Sequence, residues 1–332
     1  MNSNNRIAVI GSNSFAGSVF VAQALKNGKK VIGFNRSEEC SSIFLPYKAL
    51  PDDFSYRFVQ ANLNHDLEKI CLAIEEFQPE IIVDFAGQGM VAESWQDPAQ
   101  WYETNIVSKV RFHERIRTLK SLKKYIRIST PEVYGSQDNL LKEQFIFNPS
   151  TPYAVSHAAI DMSLKAFYQN YGFPVVFTRF ANFYGPHQQL YRIVPRTIIF
   201  ALTGKKLQLQ GGGKSIRAFI YANDVADGVL KCIETGKIGE IYHFSSDRFL
   251  TIKSVVEVIC ERMKINFDDL VEMAPDRPGK DHAYLMDSNK AKSELNWRES
   301  VTFEQGVDAT IAWIKSNIEE IQKLPLFYIH KD

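Results

Sequence analysis

The stretch RIAVIGSNSFAG, residues 6–17, is a short apolar run that stops at a glycine and gives way, after a few small residues, to apolar positions at helical spacing over 18–25. Asn27 and Gly28 end that helix, and a second apolar run, 30–34, follows at once. A strand, a tight loop, a helix and another strand in so little sequence leave few ways to fold, because the two strands then lie parallel with the helix crossing between them.

The same alternation continues. Strands are expected over 56–59, 80–85, 125–129 and 175–179, and the two most prominent helices over 101–119 and 152–171. The expected class is α/β, a doubly wound parallel sheet of the Rossmann kind with a smaller C-terminal substrate-binding domain. Residues 1–186 are read as the dinucleotide-binding domain, rejoined by about 222–234. Residues 187–332 are read mainly as the smaller domain, built from segments such as 206–210, 217–221, 241–244 and a helix near 252–263. The apolar tail LPLFYI, 324–329, is expected to pack onto its own domain.

Composition narrows the partners. The chain has 332 residues, 45% of them hydrophobic, and a formal net charge of +1, which gives no basic stripe for nucleic acid. Cys40, Cys71, Cys232 and Cys260 are scattered, so neither a zinc site nor a disulfide framework is expected, and the histidines show no metal spacing. No apolar leader and no run long enough for a membrane span are read, which makes a soluble cytoplasmic protein the expectation.

GSNSFAG lies between a strand and a helix, where a dinucleotide pyrophosphate meets backbone N–H groups and the positive helix end. Gly11, Ser14, Phe15, Ala16 and Gly17 are therefore candidate cofactor contacts, with Ser14 where the usual pattern has its middle glycine. An acidic residue at the end of the second strand would select NAD by bonding the ribose hydroxyls and repelling a 2′-phosphate. Here Asn35 and Arg36 stand instead, an amide beside a guanidinium, which favours NADP over NAD; Glu38 and Glu39 partly offset that field.

Further on, STPEVYG (129–135) follows a strand, and Tyr153 opens the next long helix with His157 four residues later on the same face. With FAGQ, ETNIV, PYAVS, NFYGP, GGGKSIRAFIYANDVADG and RPGKDHAYLMD, these motifs run through nearly the whole chain. In them the chain resembles the extended short-chain dehydrogenase/reductase family, and within it the nucleotide-sugar 4,6-dehydratases.

That resemblance implies a nucleotide-diphosphate sugar as substrate and a nicotinamide dinucleotide as cofactor. It makes Tyr153 the base for the sugar C4 hydroxyl, Thr130 the hydroxyl that orients the C4 oxygen, and Glu132 the group that removes the C5 hydrogen. Asn62, Leu63, Ala86, Gly87 and Gln88 join Tyr153 and His157 as cofactor contacts. Asn182 and Arg217 match positions that hold the nucleotide diphosphate, Arg192 and Arg277 are candidates for the same role, and His282 and Tyr284 fall where the family lines its sugar pocket. A homodimer through a four-helix bundle, formed by the helices near 101–119 and 152–171, is also implied.

Two residues depart from the pattern. Pro131 stands where a dehydratase carries the aspartic acid that protonates the leaving 6-hydroxyl, and His157 replaces the lysine of YxxxK. A phenol has a pKa near 10 and needs help to act as a base. A histidine with a reference pKa near 6.5 can bond the ribose but is mostly neutral at pH 7. The reading therefore stays open to a C4 dehydrogenase, epimerase or 4-keto reductase, with water, Tyr134 or substrate geometry as the substitute for the acid in dehydration. A non-catalytic nucleotide-binding sensor or scaffold is the alternative of another class.

Overall fold

Burial of four successive residues in β1 (Arg6–Ile10) leaves no amphipathic alternation, as expected of a strand covered on both faces. Gly11 then turns the chain with φ 85°, and Ser14 caps α1 (Phe15–Lys26), its Oγ accepting from the Gly17 N–H at 3.1 Å. This cap starts the helix at Phe15, ahead of the expected 18–25. The structure, a computed structural model, describes residues 6–51, 54–136, 139–275 and 283–330.

The chain continues through β2 (Lys30–Asn35), β3 (Tyr56–Gln60), α2 (Leu67–Phe77) and β4 (Ile81–Asp84). Next comes α3 (Pro98–Tyr102), which runs through a π-helical turn, Glu103–Val107, into α4 (Ser108–Ile116), so the expected helix over 101–119 has three parts. β5 (Lys124–Ser129), α5 (Pro152–Tyr171) and β6 (Val175–Phe180) follow. A Thr151 side chain caps α5, and Gly172 at φ 66° ends it.

After β7 (Asn182–Tyr184), α6 (Ile193–Thr203), β8 (Leu207–Gln210) and β9 (Ile216–Tyr221), the chain returns through α7 (Ala222–Thr235) to β10 (Ile241–Phe244). β11 (Phe249–Thr251), α8 (Ile252–Met263) and β12 (Val271–Ala274) come after it. Seven parallel strands form the main sheet in the order β10-β6-β5-β4-β1-β2-β3. α1 and α7 cover one face, and α2, α4 and α5 cover the other. The strand order reverses between β1 and β4, which opens a crevice at their C-terminal ends.

Ile241–Phe244 was expected in the smaller domain, but it is the edge strand of the large sheet, with Ile241 opposite Phe177. All four of its residues are buried, and the crossover through α7 brings it back beside β6. The remaining C-terminal segments build a second core from α6, α8 and helix Phe303–Ser316 around the sheet β11-β9-β7 and the pair β12-β8. Leu324 and Leu326 of the tail pack onto this core. The tail does not stop there: Tyr328 meets Tyr191, and the His330 ring stacks on Trp101 of α3 at 5.3 Å.

Among the described residues three histidines, His113, His157 and His243, are buried. Burial, helped by nearby cations, holds the latter two well below the ordinary imidazole pKa and pushes His113 down to about 3. An unfolded histidine titrates near 6.5. Between that value and the folded one, the unfolded chain binds the extra protons, so the stability present above pH 6.5 is lost as pH falls. Each such histidine contributes a slope of about 1.4 kcal/mol per pH unit below that point. Thermal unfolding at pH 7, 6 and 5 should show a falling Tm, and His113→Phe should flatten the slope by about one histidine's share.

Candidate active site

Two cavities that share Ser14, Asn35, Arg36 and residues 85–88 lie along the C-terminal ends of β1, β2 and β4, with volumes of about 110 and 490 Å³. The smaller is lined by Gly11, Asn62, Leu63 and Lys109, the larger by Phe15, Ala16, Tyr153, His157 and Arg192. A Cβ on Gly11 would come 2.7 Å from the Ala86 amide nitrogen, so the loops after β1 and β4 approach with only backbone between them. This is the space a dinucleotide pyrophosphate needs at a helix N-terminus, and the residues fit such a group. Gly17 stands behind the cradle, where a Cβ would meet the Gly11 carbonyl at 2.3 Å. Ser14 replaces a glycine without strain, because its φ of −68° suits any residue and its Oγ is engaged within the loop.

The π-helical turn holds the loop after β4. Asn105 accepts from the Gln88 N–H at 2.7 Å and donates to the Gln88 carbonyl and to Ser156 of α5, which ties this loop to the helix bearing Tyr153. Lys109 adds a bond to the Ala86 carbonyl at 2.6 Å.

Tyr153 sits in the first turn of α5, its ring 4.6 Å from that of His157. Burial raises its pKa and Glu132 raises it further, while a bond from Thr130 and the charges of Arg192 and Arg127 oppose them. Thr130 caps a single 3₁₀ turn, Pro131–Tyr134, by accepting from the Glu132 N–H. Pro131 is buried at the first position of that turn, where no N–H is required, so the turn survives the loss of the acidic side chain. Tyr134, expected as a substitute acid, is committed elsewhere: its hydroxyl lies 2.8 Å from His243 Nε2 in the core, and it does not line the cleft.

Beneath the site lies a buried group of charges that the sequence reading missed. Asp84 of β4 pairs with Lys109 at 2.6 Å and lies 3.6 Å from Arg127, while Asp161 of α5 binds Arg127 at 3.1 Å and Arg179 of β6 at 3.0 Å. Burial brings Lys109 down to about 8, against the pull of Asp84. Ser129, on the cleft wall, donates to Asp161 at 2.6 Å. The available signal was an arginine in the middle of each of two buried strands, YIRIS and VVFTRF, since a charge there requires a partner.

Among the other expected contacts, Arg192 lines the cleft, but Asn182 and Arg217 do not. Asn182 is exposed at the start of β7, and the Arg217 guanidinium lies over the Tyr284 ring at 4.5 Å. Arg277 and His282 lie outside the described residues. Tyr191, Tyr328 and Ile329 line the cleft without having been anticipated. Among the described residues no helix is long and apolar enough to cross a membrane.

Residues 9–310 match the family described as GDP-mannose 4,6 dehydratase. The chain is 30% identical over 349 residues to dTDP-glucose 4,6-dehydratase of Escherichia coli, with 96% of each chain covered. Its fold is similar to that of the dTDP-glucose 4,6-dehydratase from Streptomyces venezuelae solved with NAD bound, with a TM-score of 0.87, 27% identity and coverage of 95% of this chain and 98% of that one. The UDP-glucose 4-epimerase of Thermotoga maritima, solved with UDP-glucose, superposes with a TM-score of 0.85 at 25% identity, over 94% of this chain and 99% of its own.

Proposed function

Because the chain belongs to the GDP-mannose 4,6 dehydratase family, we propose that it modifies a nucleotide-activated sugar by hydride transfer at C4, through a 4-keto sugar, in the manner of the 4,6-dehydratases. The observation that carries this reading is that Tyr153 and His157 lie ring against ring on the wall of the dinucleotide-sized cleft, with Thr130 bonded to the Tyr153 phenol.

A bound nicotinamide dinucleotide supplies the hydride acceptor. Tyr153, as the phenolate, takes the proton of the C4 hydroxyl while the C4 hydrogen leaves with its electron pair, so the carbinol becomes a ketone and the sugar loses two electrons. Thr130, which bonds the phenol, orients the C4 oxygen, and Arg192 on the cleft wall is the charge for the diphosphate. The ketone acidifies the C5 hydrogen, and Glu132 is the carboxylate that the family resemblance assigns to its removal.

A second reading is favoured by one specific observation. Pro131 can donate no proton and the Tyr134 hydroxyl is occupied by His243, so neither supplies the acid for the leaving 6-hydroxyl. Without that acid the site can still oxidise or reduce at C4, or epimerise beside the ketone through Glu132.

NADP is the preferred dinucleotide in this reading. Asn35 and Arg36 border the cavity beyond β2, and of the carboxylates near them Glu39 is offset by Lys48 at 3.1 Å. The functional unit is a cytoplasmic homodimer. Val155, Ala159, Met162 and Ala166 form an outward stripe along α5, Met162 is 60% exposed, and Val107 is exposed on the neighbouring helix, as a four-helix contact between two copies requires.

Mass spectrometry of products from GDP-, dTDP-, UDP- and CDP-sugars, with NAD and NADP supplied separately, should show loss of water from one substrate. Loss of two hydrogens alone, or an isomer of unchanged mass, would support the second reading. Tyr153→Phe should reduce turnover by at least about a hundredfold; unchanged turnover would remove Tyr153 as the base. Arg36→Ala is expected to weaken NADP binding about tenfold more than NAD binding in fluorescence titrations, in line with the loss of one charged phosphate contact. In sedimentation analysis Met162→Glu should shift a dimer to monomer, and a wild-type monomer would sink the dimer.

A further inference from the structure

Arg127 lies in the middle of β5 with no exposed surface, and each nitrogen of its guanidinium is committed. Nε binds Asp161 at 3.1 Å, Nη1 binds the Ile128 carbonyl at 2.8 Å, and Nη2 lies 3.0 Å from Nδ1 of His157. A guanidinium only donates, so Nδ1 accepts, and the single ring proton is on Nε2. That N–H is what His157 has left to offer the cleft it lines.

His157 is therefore held as one neutral tautomer and brings no positive charge to the phenol packed against it. The positive charge comes from below. Asp84 and Asp161 face Lys109, Arg127 and Arg179, an excess of one cation over the carboxylates of this buried group, and Arg127 is the cation in contact with His157. Arg192 also favours the Tyr153 anion, but it is exposed and screened by solvent, while Glu132 opposes it. Of the other titratable neighbours, His113 stays neutral and Tyr125 keeps its proton in a hydrogen bond to Asp84, so neither adds charge.

The geometry points to Arg127 as a positioning residue of the reaction: through Nδ1 it fixes His157 with its Nε2–H available to the dinucleotide ribose, and from the core it supplies the permanent positive charge that favours the Tyr153 phenolate. Two side chains on different elements thus divide the ribose bond and the permanent positive charge that the family resemblance gives to one lysine at the place of His157. The inference rests on Tyr153 being the base. It explains why His157 works as a neutral residue and why a charge is kept inside a parallel strand.

Nitrogen-15 NMR of histidine-labelled protein bearing bound oxidised dinucleotide tests the first half without turnover, with His157→Gln identifying the resonance. The expected result is a neutral Nε2–H imidazole that does not titrate between about pH 8 and pH 5.5. A midpoint near 6.5, or an Nδ1–H tautomer, would overturn the proposal.

The second half is read by ultraviolet difference titration of the dinucleotide complex against the same complex of Tyr153→Phe, which reports ionisation of Tyr153 alone. Arg127→Gln should raise that midpoint by about one pH unit or more, with Arg127→Lys restoring part of it. His157→Gln, which keeps an acceptor for Arg127 and a donor for the cleft, should leave the midpoint within about 0.3 unit, as expected if the imidazole adds no charge. An unmoved midpoint in Arg127→Gln, or a shift of a full unit in His157→Gln, would assign the charge elsewhere, as would a native complex whose Tyr153 stays protonated to pH 11. If Arg127→Gln does not fold, the histidine spectrum and the His157→Gln titration decide. Full turnover by Tyr153→Phe would instead strike the base assignment, and the histidine spectrum would still report the tautomer.

Discussion

Five elements of the large domain each place one charge in its interior: Asp84 from β4, Lys109 from α4, Arg127 from β5, Asp161 from α5 and Arg179 from β6. None of these charges is tolerable alone in an apolar interior, so each specifies where its partners must be. Removing one partner leaves a buried charge unmatched, at a cost of about 3–5 kcal/mol. The bonds that leave this group reach the site directly: Lys109 to the loop after β4, Ser129 to the cleft wall, Arg127 to His157. Packing of the two core faces sets the architecture, while the charges fix the register of the loops that face a ligand.

The replacement of an acid by Pro131 and of a lysine by His157 have different physical consequences. Proline sits at the opening position of a 3₁₀ turn and preserves the backbone that carries Thr130 and Glu132, while its side chain has no proton to give. Histidine keeps a hydrogen-bonding ring beside Tyr153 but depends on a second residue for charge. One change restricts which reaction can follow the ketone. The other changes the electrostatics around Tyr153 and keeps a hydrogen-bonding ring on the cleft wall.

Much of this was legible because local patterns carry it. Apolar runs alternating with helical periodicity fix a parallel doubly wound sheet, and a glycine loop between β1 and α1 marks the turn that borders the cleft. The spacing of Tyr153 and His157 puts them on one helix face. Other features follow from contacts distant in sequence. Ile241–Phe244 reads equally as a strand of either domain until its partner β6 is known. The terminal segment carries Tyr328 and Ile329 into the cleft and His330 onto Trp101, a path that its apolar composition does not state.

By itself the sequence determined the order of strands and helices, the place of the phosphate loop and the residue types available for proton transfer, since each depends on neighbours a few positions apart. Only the tertiary structure decided which nitrogen of His157 carries a proton, which cation stands behind Tyr153, and that Tyr134 is spent on His243. These are settled by distances between side chains on different strands and helices, and electrostatic interactions in a low-dielectric interior follow those distances and not the sequence separation.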